Sequence, residues 1–462
     1  MWNRQATELA QAVRTGQHSA TEVIESHLER IAATNPTVNA VTQLLADSAR
    51  AAAVELDVRR EAGKPLGPLA GVPFTVKENI DIGGVPTTHG VRALENAVAE
   101  TDSPSVARLR AAGAIPIGHT NMPDLTIGGY TNSQLFGETV NPWGTIRNPS
   151  GTGGGDGAAV AAGMAAIGLG NDSGGSVRGP ALNCGVTALN PTYGRFPAEH
   201  RVRGQEPMSA SQLFPKDGPL TRSIPDLRAV FEVMAGVDPR DPRAVPAPVD
   251  GPSLPAPLKV GVVADPGGLG VHPKVRAAVH RAADLLEDAG YRVEETDVPR
   301  LADGIGGYLK MITSEFALNW PRIRGLLTEE SAQHMELTIA GQPPLELAEY
   351  LRLTGERYSI LRDWHQFLAE YPLILGGVST EPPGDPETFE IDAEQNMRMA
   401  VAVRLCTLTT FVGVPAVAVP TGVVDGIPMG VQIIGRPFRE DLCLSAAGAI
   451  EAAVGTLTPV FG

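Results

Sequence analysis

Hydrophobic positions near the start of the chain recur every three to four residues. Ser19-Ala20-Thr21-Glu22 has the capping-box pattern, and Val23, Ile24, Leu28 and Ile31 follow at helical spacing, which predicts a helix with one buried face. Residues 38–45 read as a strand and the Ala/Glu/Arg-rich stretch 47–62 as a long helix. From 67 to 194 glycine turns alternate with short apolar runs: 105–112 reads as a helix, 114–118 as a strand and 157–164 as a helix of small residues. Such alternation predicts an α/β sheet. Residues 239–257 hold seven prolines and few large apolar side chains, the pattern of a linker. A β-α-β unit follows, with strands at 258–263 and 291–298 around a helix at 274–289. Residues 300–370 read as mainly helical, and 405–450 as strand, Gly/Pro turn, strand and helix.

This pattern divides the chain into an N-terminal helical segment (1–65), a core (66–238), the Pro-rich linker (239–257) and the remainder (258–462), with a helical cap at about 300–400. The last strands are expected to return to the sheet begun before the linker, giving one mixed α/β body. No repeat or low-complexity tract is visible.

Composition narrows the function. Hydrophobic residues make up 43% and charged residues 19%, enough to bury a large core and too apolar for wholesale disorder. A net charge of −15 argues against nucleic acid and against anionic membranes as partners. Cys184, Cys406 and Cys443 are far apart and odd in number, so they are expected as buried free thiols; neither a disulfide framework nor a zinc site is expected. The first residues lack an apolar stretch, and the run 158–170 is too short to span a membrane. The expected location is cytoplasmic.

The densest chemical signal is Gly170-Asn171-Asp172-Ser173-Gly174-Gly175-Ser176-Val177-Arg178. Small residues before Ser176 let successive N–H groups converge on one point, and a serine beside such a nest can attack a carbonyl. Gly-Gly-Ser also occurs in ordinary loops. A second Gly-rich loop, Ser150-Gly151-Thr152-Gly153-Gly154-Gly155-Asp156, lacks the Gly-Lys-Ser/Thr of a P-loop and has Asp156 where the third Rossmann glycine belongs. A serine nucleophile needs a base. His89, His119 and His200 are available, but nothing around them marks a triad. Lys77 ends the apolar run Val72-Pro73-Phe74-Thr75-Val76. Burial there would lower its pKa, unless it snorkels to solvent.

These segments resemble, in order and spacing, the amidase signature family. The matching pieces are 71–79 with Pro86-Thr87-Thr88, Thr120-Asn121-Met122-Pro123, Asn141-Pro142-Trp143, the two Gly-rich loops, Cys184-Gly185, Pro191-Thr192-Tyr193-Gly194-Arg195, 218–223, 413–416 and 426–437. They cover roughly residues 5–455. The resemblance implies a single large mixed sheet with helices on both sides, and hydrolysis of a small-molecule amide through a Ser-cis-Ser-Lys triad. By motif position Lys77 is the base and Ser176 the nucleophile. Thr152, 24 residues before Ser176, stands at the bridging cis-serine. The expectation is a cis Gly151–Thr152 bond, with the Thr152 hydroxyl reaching both Lys77 and Ser176. The N–H groups of Ser173, Gly174, Gly175 and Ser176 would form the oxyanion hole, braced by Asp172 and Arg178. No metal or cofactor is implied, and a homodimer is compatible. The chain departs from the family at Thr152, at Gly153 in place of a second serine, and at Leu189-Asn190-Pro191 in place of Leu-Lys-Pro.

Three other readings share this pattern: a glutaminase component of an amidotransferase, a degenerate fold used only for binding, and an enzyme whose acyl group passes to an amine instead of water. In the expected cap, Tyr308, Met311, Phe316 and Trp320 fall near helical spacing, as core or as pocket lining.

Overall fold

The computed structural model describes all residues except 203, 385–391 and 459–462. In chain order the strands are β1 (Val41–Leu44), β2 (Pro73–Lys77), β3 (Ile115–Thr120), β4 (Asn132–Ser133), β5 (Gly137–Glu138), β6 (Ile167–Asp172), β7 (Thr187–Asn190), β8 (Lys216–Thr221), β9 (Lys259–Val263), β10 (Arg292–Glu295), β11 (Leu373–Gly377), β12 (Ala416–Val424) and β13 (Ile427–Gly435). Among the described residues, β4 and β5 pair with each other, and the other eleven form one sheet in the order β1-β3-β2-β6-β8-β7-β12-β13-β11-β9-β10.

The sheet is mixed. β2 runs parallel to β3 and β6, and β9 runs parallel to β10 and β11, whereas β8, β7, β12 and β13 pair antiparallel with their neighbours. The parallel pairs therefore need helical crossovers, and β12 and β13 are joined as a hairpin. The strand pair after the linker does return to the earlier sheet, since β12 pairs with β7.

Local chemistry explains the elements. Ser19 caps the helix Ala20–Val38 by accepting from Glu22 N–H, and the Glu22 carboxylate closes the box by accepting from Ser19 N–H. The helix Gly154–Ala161 is buried along its whole length, which its glycines and alanines permit by keeping it thin. The β-α-β unit forms as β9, the helix Pro273–Asp288 and β10.

Two segments differ from expectation. Residues 404–412 form a helix, Arg404–Val412, packed under the sheet, so the strand expected from 405 begins only at Ala416. Its run of apolar and threonine side chains is buried all round, which erases the periodicity that separates helix from strand. The region expected to be helical to about 400 contains β11, inserted between β9 and β13. The part of that region at 385–391 lies outside the described residues.

Candidate active site

Lys77 ends β2, which lies between β3 and β6 in the sheet. Lys77 is fully buried. Its Nζ donates to Thr152 Oγ1 at 2.6 Å and to Asn171 Oδ1 at 2.9 Å. Asn171 is oriented in turn by donating to Asn79 Oδ1 at 3.0 Å. Among the described residues no carboxylate forms an ion pair with Lys77. Burial pushes its ammonium down to about 8, although the charges of Asp156, Asp172 and Asp217 pull the other way. A neutral amine is thus accessible close to neutral pH.

Thr152 reaches Lys77 from a loop whose preceding two residues are left-handed, Ser150 at φ 72° and Gly151 at φ 51°. Asn148 Oδ1 accepts from Ser150 N–H, and Gly151 O accepts from Thr131 Oγ1. This double turn aims the hydroxyl while the Gly151–Thr152 bond stays trans. The expected cis bond is absent: among the described residues the cis bond is Ala256–Pro257.

The contact between Thr152 and Ser176 also differs from expectation. Ser176 is half-buried, and its hydroxyl makes no hydrogen bond among the described residues. The two loops instead meet backbone to backbone. A Cβ at position 153 would lie 2.4 Å from Ser176 O, so glycine is required where the related motif has a serine.

Asp172, at the end of β6, organises the nucleophile loop. Its carboxylate accepts from Gly174 N–H at 3.0 Å, Gly175 N–H at 2.7 Å and Val177 N–H at 3.2 Å. Gly175 takes φ 124° to make this turn, a dihedral open to glycine. Arg178 grips the same carboxylate through Nε and Nη2, each at 3.0 Å, and both side chains are fully buried. Such a two-pronged pair is the favourable geometry for a buried ion pair. Burial opposes ionisation, but the Arg178 charge wins and holds the Asp172 carboxyl well below the usual range. Arg178 Nη1 continues to Thr409 Oγ1 and Gln432 Oε1, tying the loop to the helix Arg404–Val412 and to β13. Gly174 and Gly175 therefore turn their N–H groups to Asp172, a correction to their expected place in an open oxyanion hole. Asp172 does not engage the N–H groups of Ser173 and Ser176.

Asp217 was missed by the sequence reading because lateral strand pairing brings it in, while Asp156 and Tyr308 were read without a role at the site. Asp156 Oδ1 accepts from Thr120 Oγ1 and Oδ2 has no partner; burial pushes this carboxyl up. Asp217 accepts from Ser105 Oγ and is pushed up to about 7 by burial. Tyr308, from the helix Leu301–Ile323, donates to Ser173 O and packs on Phe214 at 5.0 Å between ring centroids, so the cap touches the nucleophile loop. Met311 is core, and Phe316 and Trp320 pack around Ile127, Leu327 and Met335.

Among the described residues no histidine hydrogen-bonds to Lys77, Thr152 or Ser176. Burial pushes His89 and His200 down to about 4, and His119 lies 3.6 Å from Glu78. The three cysteines are free and buried. Among the described residues no group of His, Cys, Asp and Glu could hold a metal ion, and no helix is long and apolar enough to cross a membrane.

Comparison with known proteins gives a family match and several relatives. The family described as Amidase matches residues 22–444. Indoleacetamide hydrolase of Bradyrhizobium diazoefficiens is 39% identical over 459 residues, covering 99% of this chain and 88% of the relative. The glutamyl-tRNA(Gln) amidotransferase of Synechococcus sp. has a component that is 34% identical, covering 98% of this chain and 97% of the relative. Among solved structures, 6-aminohexanoate cyclic dimer hydrolase complexed with substrate superimposes with a TM-score of 0.83 at 27% identity, covering 98% and 97% of the two chains.

Proposed function

Because this chain belongs to the amidase family and is an amide-hydrolysing enzyme, we propose that it works through an acyl-enzyme on Ser176, with Lys77 as base and Thr152 as the bridging hydroxyl. The observation that carries the reading is the 2.6 Å contact of a buried, readily neutralised Lys77 amine with the Thr152 hydroxyl. Neutral Lys77 takes the Thr152 proton as Thr152 takes that of Ser176. Ser176 Oγ bonds to the amide carbon, and the carbonyl electrons move onto oxygen. The proton returns through the relay to the leaving nitrogen as the C–N bond breaks, and water then releases the acid.

The Thr152–Ser176 hydrogen bond closes in the substrate complex, as catalytic contacts often do on binding. The developing oxyanion is met by the N–H groups of Ser173 and Ser176. Gly174 and Gly175, anchored on Asp172, hold those donors in place; loss of one such donor costs about 3 kcal/mol.

Indoleacetamide is the first substrate to test, because the 39% identical relative is named for it and aligns over 99% of this chain. A glutaminase role is the second reading, favoured by the relatives named as components of glutamyl-tRNA(Gln) amidotransferase. A panel of indoleacetamide, other primary carboxamides and glutamine, with product masses recorded with and without an added amine, separates hydrolysis from aminolysis and small amides from glutamine. A fluorophosphonate probe followed by peptide mass spectrometry should label Ser176. Labelling elsewhere with Ser176 clean would reject the mechanism.

A further inference from the structure

The sheet carries a carboxyl on the same rung as Lys77. β2 pairs Lys77 with Thr120 of β3 on one side, and Thr75 with Gly168 of β6 on the other. Two residues along, that second ladder brings Gly170 level with Lys77 and on the same face. Asp156, in the first turn of the helix Gly154–Ala161, lies against this rung. A Cβ at Gly168 would meet the Asp156 Cβ at 3.2 Å, and a Cβ at Gly170 would meet its Oδ2 at 2.8 Å. Glycine at both positions makes room for the side chain. On the opposite flank Thr120 Oγ1 donates to Oδ1. The carboxyl therefore spans the rung from Thr120 to Gly170, with Lys77 as the middle residue. A Cβ at Gly153, next to Thr152, would come within 3.4 Å of the same Oδ2, so this oxygen faces the relay.

Oδ2 is buried and has no hydrogen-bond partner. An unsatisfied carboxylate oxygen in the interior is costly. The first turn of a helix favours its negative charge, and the Lys77 ammonium favours it further. The other carboxyls near Lys77 are engaged elsewhere. Asp172 on β6 is bound by Arg178, and Asp217 on β8 accepts from Ser105. Glu78, next in the chain, accepts from Thr42, Gln43 and Thr88, with His119 3.6 Å away. His89, which also feels the Lys77 charge, is held neutral by burial. Among the carboxylates acting on Lys77, Asp156 pulls hardest on its proton, ahead of Asp172 and Asp217.

We propose that Asp156 is a positioning residue for the proton of the base, a buried counter-charge that acts on the Lys77 amine through space and sets the pH at which hydrolysis begins. This rests on the reading that neutral Lys77 is the base. Asp156 loses its proton at about 7 and Lys77 at about 8, so the carboxylate is ionised where the amine becomes neutral. Its charge holds the ammonium proton and delays the onset of activity. The same charge stabilises the lysinium that forms when the relay delivers a proton to Lys77.

The test is the pH profile of kcat/KM in Asp156→Asn, which keeps the shape and an acceptor for Thr120 and removes the charge. The acid limb should move about one pH unit lower, because the amine loses the counter-charge that holds its proton. The plateau should fall about threefold, because a less basic amine is a weaker general base. Thr120→Val keeps the carboxyl and removes the hydroxyl that helps to ionise it, so it should move the limb the same way by a smaller amount. A limb fixed at the wild-type pH in Asp156→Asn, or in Thr120→Val where Asp156→Asn does not fold, would overturn the proposal even if activity and Tm fall together, the mark of a purely structural residue. So would a limb moved to higher pH. Lys77→Met separates the two claims. An acid limb that persists without Lys77 rejects the base; a limb that vanishes there but stays fixed in Asp156→Asn rejects only the role of Asp156.

Discussion

Lys77 and Lys259 stand at strand ends in opposite halves of one sheet, and their surroundings make them different chemical species. Lys77 closes β2 in the interior, with a hydroxyl and an amide oxygen as its direct partners. Lys259 opens β9 near the rim, with Glu294 at 2.8 Å, Glu370 at 2.9 Å and the Tyr371 ring 4.0 Å from its Nζ. Hydrogen bonds donated to Glu294 and Glu370 push Lys259 above the usual lysine range, while burial pushes Lys77 below it. The β9 end spends its charge on surface ion pairs, which salt and solvent screen. The β2 end holds an amine without a bonded counter-ion, a poor stabiliser that can lose its proton close to neutral pH.

The comparison can be broken most directly at Lys77. Lys77→Met should lower amide hydrolysis by about a thousandfold, within the usual range for a general base. Ester hydrolysis should fall less, because an alkoxide leaves with less need of a proton. In the wild-type enzyme kcat/KM should rise with pH through about 8, since the neutral amine is the active form. The stability sign follows from the same shift. Between about 8 and the usual lysine value the unfolded chain binds more protons at this site than the folded chain, so stability rises with pH across that window. Lys77→Met should flatten both slopes. A variant with wild-type amidase activity would remove Lys77 from the mechanism.

Thr152 is the next most sensitive position. Thr152→Val removes the hydroxyl at nearly constant shape. It should lower kcat about 10- to 100-fold, the scale of one hydrogen bond to a charged group, with a milder change in KM. Thr152→Ser should keep or raise activity. An unaffected Thr152→Val would mean that Lys77 reaches Ser176 directly or through water. The smallest effect belongs to the other half of the sheet. Lys259→Met should leave kcat, KM and Tm within error of wild type, and a measurable fall in kcat would show that the two regions are coupled.

Much of this was legible in the sequence. The capping box at Ser19, the small-residue helix, the β-α-β unit and the terminal strand pair are written in local spacing. The two glycine loops and Lys77 are legible as well, because close backbone approach and a strand-end amine leave marks in composition. The helix Arg404–Val412 was hidden, since a segment buried on every side shows no polar face. The trans bond at Thr152 was hidden too. Left-handed dihedrals at Ser150 and Gly151 deliver the hydroxyl, and no residue pattern distinguishes that turn from a cis bond.

By itself the sequence determined the family, the chemistry-bearing residue types and the order in which they occur, because each depends on neighbours within a few positions along the chain. Only the tertiary structure decided the charge state of those residues. Lys77 is held toward its neutral form because the assembled fold buries its strand end. The N–H groups of Gly174 and Gly175 are committed because Asp172 and Arg178 meet beneath them. Asp156 meets the rung of Lys77 because its helix packs on two glycines of β6. Burial and register are properties of the assembled sheet, and the proton affinity of a buried group follows from what the sheet places around it.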